Sequence, residues 1–231
     1  MLTSEEWTIV ALSLRVSVVA ILLTLPISFG LAYVLGRARF PGKALLDALI
    51  HLPLVMPPVV IGWLLLLAFG HEGPVGGWLD RWFGVSVIFR WTGAAIASAI
   101  MALPLMVRAI RLSVESVDRR LEGAARTLGA GRWRTFTSVT LPLCLPGIAA
   151  ALVLGFARAL GEFGATITFV SSIPGETRTL PLAIYAGLQV PGGESMVVRL
   201  ALVSIILSLA ALVASEWLGR RNGQARDGHV L

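Results

Sequence analysis

Residues Thr8–Leu35 read TIVALSLRVSVVAILLTLPISFGLAYVL, and this stretch decides the class of fold. It carries one charge, Arg15. Crossing a hydrocarbon core takes about 20 mostly apolar residues, and this stretch exceeds that length. A helix apolar on every face belongs either in the middle of a large protein or in lipid. Four further stretches of the same kind follow: Leu45–Phe69, Trp91–Ile110, Leu143–Val170 and Met196–Leu218.

Composition excludes the first alternative. Of 231 residues, 56% are hydrophobic and only 14% charged, against roughly 25% charged in soluble domains. Too few charges remain to cover a water-facing surface. The expected fold is all-α, a polytopic membrane bundle of five transmembrane helices. It forms one domain over residues 1–221, and a short cytoplasmic tail, 222–231, is expected to be disordered. The N-terminal residues carry Glu5 and Glu6 and no basic residue. A signal peptide opens with a basic region, so the first span is expected to be retained. The net charge of +6 is nearly all arginine, with Lys43 the only lysine, and it sits in loops. That excludes the basic face of a nucleic-acid-binding domain. Cys144 is the only cysteine, so no internal disulfide can form.

The loops set orientation. Arg37, Arg39 and Lys43 lie between spans one and two, and six arginines between Arg111 and Arg134 lie between spans three and four. Arg220, Arg221 and Arg226 follow the last span. The segments Gly70–Arg90 and Ser171–Ser195 are near neutral. Basic loops stay on the cytoplasmic side, and the alternation fits an N-terminus outside and a C-terminus inside. Trp78, Trp82 and Trp91, with Phe83 and Phe89, read as an outer interfacial aromatic group. Thr179–Val190 is expected to form a short helix near the outer surface, ended by Pro191-Gly192-Gly193. In span two, Pro53, Pro57 and Pro58 remove backbone donors. They mark either an ordinary kink or a break lining a wet pathway.

The long inner loop, Ser113–Pro142, reads SVESVDRRLEGAARTLGAGRWRTFTSVTLP. Asp118 can cap a helix whose apolar positions, Leu121, Ala124, Ala125 and Leu128, follow a helical period. Gly129 stands where a helix end often requires a left-handed residue. A second short helix with Trp133, Phe136 and Val139 can lead into span four. The result is a helix–turn–helix projecting on the basic side.

This loop resembles the signature of binding-protein-dependent ABC importer permeases: Ala124-Ala125, Gly129 four residues on, then Val139-x-Leu141-Pro142. In that family the loop is a coupling helix seated in a cleft of an ATP-binding subunit. Leu121, Glu122, Ala124, Ala125, Arg126, Leu128, Gly129 and Arg132 would then form the ATPase-coupling interface. The family places glutamate directly before the alanines, where this chain has Gly123 and carries Glu122 one residue earlier. The stretches Ala38–Lys43, His51–Pro58, Arg120–Gly129 and Ala157–Thr166 are similar to the molybdate permease branch. That resemblance implies a homodimer, two cytoplasmic P-loop ATPase subunits and an extracytoplasmic oxyanion-binding protein, in the inner membrane. The expected function is import of molybdate, and of tungstate, by alternating access. A sulfate or other oxyanion permease is the alternative, and an ion-coupled secondary transporter is a further one.

The chain is not expected to be an enzyme. A P-loop needs Gly-x-x-x-x-Gly-Lys-Ser/Thr, whereas Lys43 is followed by Ala44. ATP and Mg would belong to the partner, and no cofactor or catalytic residue is expected on this chain. His51, His71 and His229 are too dispersed to assemble a metal site. Within span four, Arg158 and Glu162 stand one helical turn apart. A charge at that depth costs about 2.5–3.5 kcal/mol on insertion scales, so the two either face a pathway for a dianion or neutralise each other to lock packing. Arg15 and Arg108 can snorkel to water. Gly155, Gly161 and Gly164 read as close-packing positions.

Overall fold

The computed structural model describes residues 2–227, and every regular element among them is helical. The first helix, α1 (Ser4–Arg37), opens on a capping box: the Glu6 amide donates to Thr3 Oγ1, and Glu6 Oε2 accepts from the Thr3 amide. There follow α2 (Lys43–Val55), α3 (Pro58–Phe69), the outer-loop helix α4 (Gly76–Phe83) and the long α5 (Trp91–Ser116). The inner loop holds α6 (Arg119–Thr127) and α7 (Arg132–Thr135), and a π-helical turn (Phe136–Thr140) leads into α8 (Leu141–Leu160). The chain ends with α9 (Gly164–Val170), α10 (Leu180–Leu188) and α11 (Glu194–Asp227).

Four of these stretches are long and apolar enough to cross a membrane alone, and the bent pair α2–α3, taken as one span, makes five. The helix α5 forms the centre, with 61% of its most apolar window buried against 6% for α11. It packs on α1 along one side and on α8 along the other. Lipid offers no hydrophobic drive for helices to associate, so close approach and buried polar bonds must hold them. The α5 seam is accordingly built of Ala94, Ala95, Ala97, Ser98 and Ala102, all buried. Facing it on α8, Gly147 lies against Ser113 and Gly155 against Met106. On α1, Ser13, Ser17 and Thr24 return their hydroxyls to carbonyls one turn back, at 2.7–2.8 Å. Ser13 also accepts the Leu180 amide at 2.7 Å and so pins the start of α10 to α1.

Ion pairs sort the two ends of the bundle as the loop charges require. At one end Arg199 clamps the buried Glu6, and Arg178 approaches Glu5. At the other, Arg37 pairs with Glu122, and Arg111 bridges Asp47 and Glu115.

Two expectations need correction, those for span four and for the tail, and two are refined. Of the two readings of span two, a break is what forms: the chain bends by 111° between α2 and α3, around Met56-Pro57. Span four is interrupted too, since α8 stops at Leu160 and α9 starts at Gly164. The short outer helix forms as expected, as α10 over Leu180–Leu188, and one side of it is buried. Leu180, Leu182, Ala183 and Gly187 are buried, and the helix packs on α11 and α1. Finally, α11 runs on to Asp227 through most of the expected tail, and residues 228–231 lie outside the described residues.

Candidate functional site

Two constellations carry the chemistry that the sequence pointed to. The first is the inner loop. Asp118 accepts the Arg120 amide at 2.9 Å and starts α6 as expected. Gly129 has φ +85°, the left-handed geometry that only glycine adopts at little cost. The aromatic rings of Trp133 and Phe136 meet edge-on at 6.1 Å, and Phe136 packs on Phe29 and Tyr33 of α1. Leu128 is 88% exposed and Leu121 49% exposed. Seven residues apart, Leu121 on α6 and Leu128 capping its end fall on one side, with Ala125 one turn after Leu121. This side of the loop is thus apolar and open to water.

Glu122 does not join that face. Its Oε1 accepts from Arg37 Nη2 at 3.0 Å and from Thr140 Oγ1 at 2.8 Å, ties that join α6 to the end of α1 and the start of α8. Arg37 Nη2 also donates to the Val117 carbonyl. Of the remaining expected interface residues, Ala124 and Arg132 are exposed, while Arg126 turns toward Arg37 and Tyr33 on the opposite face from the leucines. Tyr33 and Thr140 were not anticipated from the sequence, and Arg37 entered only as a loop charge that sets orientation. The cue was available in part: Arg37 ends a span beside the basic loop.

The second constellation is where the broken helices meet. Starting from its break, α3 runs beside α9 in the same direction. Pro58 lies at Gly164, Gly62 faces Ala165 and Thr168, and Phe69 reaches Phe169 at 5.9 Å. Discontinuous helices leave backbone groups unpaired, and membranes tolerate them only in protein or beside water. At the α8–α9 break, Glu162 is fully buried. It pairs with Arg158 Nη1 at 2.6 Å and accepts the Ala165 amide at 2.8 Å. Arg158 sits in the last turn of α8, where a cation suits the helix dipole. The carboxylate thereby holds the end of one helix to the start of the next. Beside the break, a cavity of about 420 Å³ opens between α8, α10 and α11. Its polar lining includes Tyr185, Ser204 and Ser208.

Other side chains fall elsewhere. Arg15 stacks its guanidinium 3.8 Å over the Trp91 ring and does not simply reach for water. His51 bonds the Asp47 carbonyl at the inner end of α2. Among the described residues no group of three His, Cys, Asp or Glu could hold a metal.

Comparison with known proteins follows this geometry. Residues 25–224 match the family described as "Binding-protein-dependent transport system inner membrane component". The molybdenum transport system permease protein ModB of Escherichia coli (strain K12) is 59% identical, over 95% of this chain and 96% of its own length. The sulfate transport system permease protein CysT of the same strain is 39% identical, over 87% of this chain and 73% of its own. Among solved structures, a bacterial ABC transporter involved in alginate import aligns with a TM-score of 0.69 at 19% identity, covering 96% of this chain and 80% of that one. The last likeness establishes the fold. The family match over residues 25–224 and the 59% identity over 95% of the chain agree with the membrane-spanning bundle, and the chain belongs to the binding-protein-dependent transport system inner membrane component family, a multi-pass membrane permease.

Proposed function

We propose that the chain is the membrane permease of an ATP-driven importer of molybdate, working in the inner membrane and carrying tungstate as a second cargo. The observation that carries the class is α6, an anchored amphipathic helix that presents Leu121 and Leu128 outward from the basic end of the bundle. A rigid helix held by the Arg37–Glu122–Thr140 tie can transmit a push into α1 and α8 without absorbing it. Two P-loop ATPase subunits would grip two such helices, one from each permease of a homodimer, and an extracytoplasmic binding protein would deliver the oxyanion. ATP binding closes the ATPase pair and opens the bundles outward, and hydrolysis resets them.

The cargo assignment rests on identity: 59% to the molybdenum permease against 39% to the sulfate permease of one organism. The passage is assigned to the meeting of the two helix breaks, next to the cavity bearing Tyr185, Ser204 and Ser208. Hydroxyls can donate to an oxyanion without adding charge; Ser204 already donates to the Leu200 carbonyl at 2.9 Å, which leaves Tyr185 and Ser208 for that role. Arg158 is assigned a positioning role, because Glu162 already neutralises it at 2.6 Å.

The test is co-purification. The tagged native chain should recover a P-loop ATPase identified by mass spectrometry. Gly129→Asp, which forces a side chain onto a φ of +85°, should lose it. If the native chain recovers no ATPase in any of several detergents, the ATP-driven reading fails.

A further inference from the structure

The side of α6 turned away from Leu121 and Leu128 has its own chemistry. Arg119 and Arg126 stand two residues before those leucines, and at about 100° per residue they point nearly opposite. With Arg37, Tyr33 and Glu122 they line a cavity of about 350 Å³ between the end of α1 and the coupling helix. Glu122 is its one acid, and that carboxylate is already engaged by Arg37 and Thr140. Arg119, Arg126 and the nearby Arg132 have no carboxylate partner among the described residues. Arg37 Nε is buried without an acceptor. The cavity is therefore a concentration of positive charge left uncompensated by the chain.

Tyr33 is shared with a second cavity, of about 250 Å³, whose other walls are Arg132, Trp133 and Phe136. Phe136 continues the aromatic wall to Phe29, one turn deeper along α1, at 5.8 Å. Basic groups at the cytoplasmic end thus pass directly into an aromatic surface running toward the bilayer. An acidic protein side chain would use only the basic half. A molecule with an anionic head and an acyl chain uses both, and basic pockets at the cytoplasmic ends of membrane helices are where anionic headgroups bind.

We propose that this cleft binds an anionic phospholipid of the cytoplasmic leaflet, with the headgroup phosphate between Arg37, Arg119 and Arg126 and an acyl chain along Tyr33, Phe136 and Phe29. The lipid braces the coupling helix from behind while its leucine face stays free.

The experiment is native mass spectrometry of the purified full-length chain titrated with phosphatidylglycerol or phosphatidylcholine. The native chain should retain phosphatidylglycerol selectively. Arg119→Gln/Arg126→Gln should weaken that binding roughly thirtyfold, from about fivefold per arginine at a membrane surface. The charge-matched outer-loop variant Arg81→Gln/Arg90→Gln should change it less than about twofold, since those residues lie beyond the reach of this site. Trp133→Ala, at an exposed position, should weaken phosphatidylglycerol while the chain keeps its thermal midpoint. Equal weakening by the outer-loop variant would overturn the proposal, as would unchanged binding in the inner double variant. Displacement of the lipid by added ATPase subunit would assign the cleft to that protein, and full competition by inorganic phosphate would assign it to a free anion.

Discussion

Replacing Arg158 by glutamine removes the partner of a carboxylate that is 1% exposed, whereas replacing Glu162 leaves an arginine that is 25% exposed. The two losses are therefore unequal. Stripped of Arg158, Glu162 keeps only the Ala165 amide at 2.8 Å. Removing one partner of a buried pair costs about 3–5 kcal/mol, and the lower figure, about 3, suits a site that keeps one hydrogen bond. Glu162→Gln should cost less, about 1–2 kcal/mol, because an amide oxygen can still accept from Ala165 and Arg158 can turn toward water. The double variant has no stranded charge and should cost about 2 kcal/mol, well short of the sum of roughly 4–5, a coupling of about 2–3 kcal/mol. Reversible unfolding of the four proteins by SDS in mixed micelles measures the cycle. A coupling below about 0.5 kcal/mol, or a larger loss from Glu162→Gln than from Arg158→Gln, would refute the lock. Function separates packing from passage: at matched membrane levels the double variant should still take up molybdate. A double variant that folds as expected and transports nothing would put Arg158 on the route of the anion.

Three further outcomes are expected. Gly62→Ala would place a Cβ 2.5 Å from the Ala165 carbonyl oxygen and 2.8 Å from Thr168 Cβ. It should lower stability by about 1–3 kcal/mol, read by thermal unfolding, whereas Gly30→Ala, with open space around it, should not. Leu128→Asp, at an 88% exposed position, should leave the unfolding curve unchanged yet abolish recovery of the ATPase. Glu122→Ala should free Arg37 and Thr140, leaving ATPase binding measurable but reducing transport per ATP hydrolysed in reconstituted vesicles.

The bundle was legible because lipid demands long apolar stretches, and Thr8–Leu35 or Trp91–Ile110 can be read in no other way. The inner-loop helix α6 was legible because Asp118 and Gly129 are local signals whose geometry does not depend on distant residues. The breaks were harder. Pro57 and Pro58 announced a disturbance, but its angle depends on Gly62 and Gly164 letting α3 reach α9, a contact between segments far apart in the chain. Likewise Leu143–Val170 is apolar but for Arg158, Glu162 and a few hydroxyls, and the capture of the Ala165 amide by Glu162 shows where the helix stops. The ties of Glu122 were hidden because their partners, Arg37 and Thr140, come from two other helices. The burial of α10 was hidden because it depends on Ser13 offering an acceptor to Leu180.

On the proposed function, ATP drives this permease through a docked partner to deliver molybdate. The direct measurement is uptake of labelled molybdate into proteoliposomes holding the permease and its ATPase, with ATP and Mg inside and the oxyanion-binding protein outside. Uptake should require ATP and the binding protein, survive a proton ionophore, and fall to background with Leu128→Asp. Uptake that proceeds without ATP and collapses with the ionophore would contradict the account.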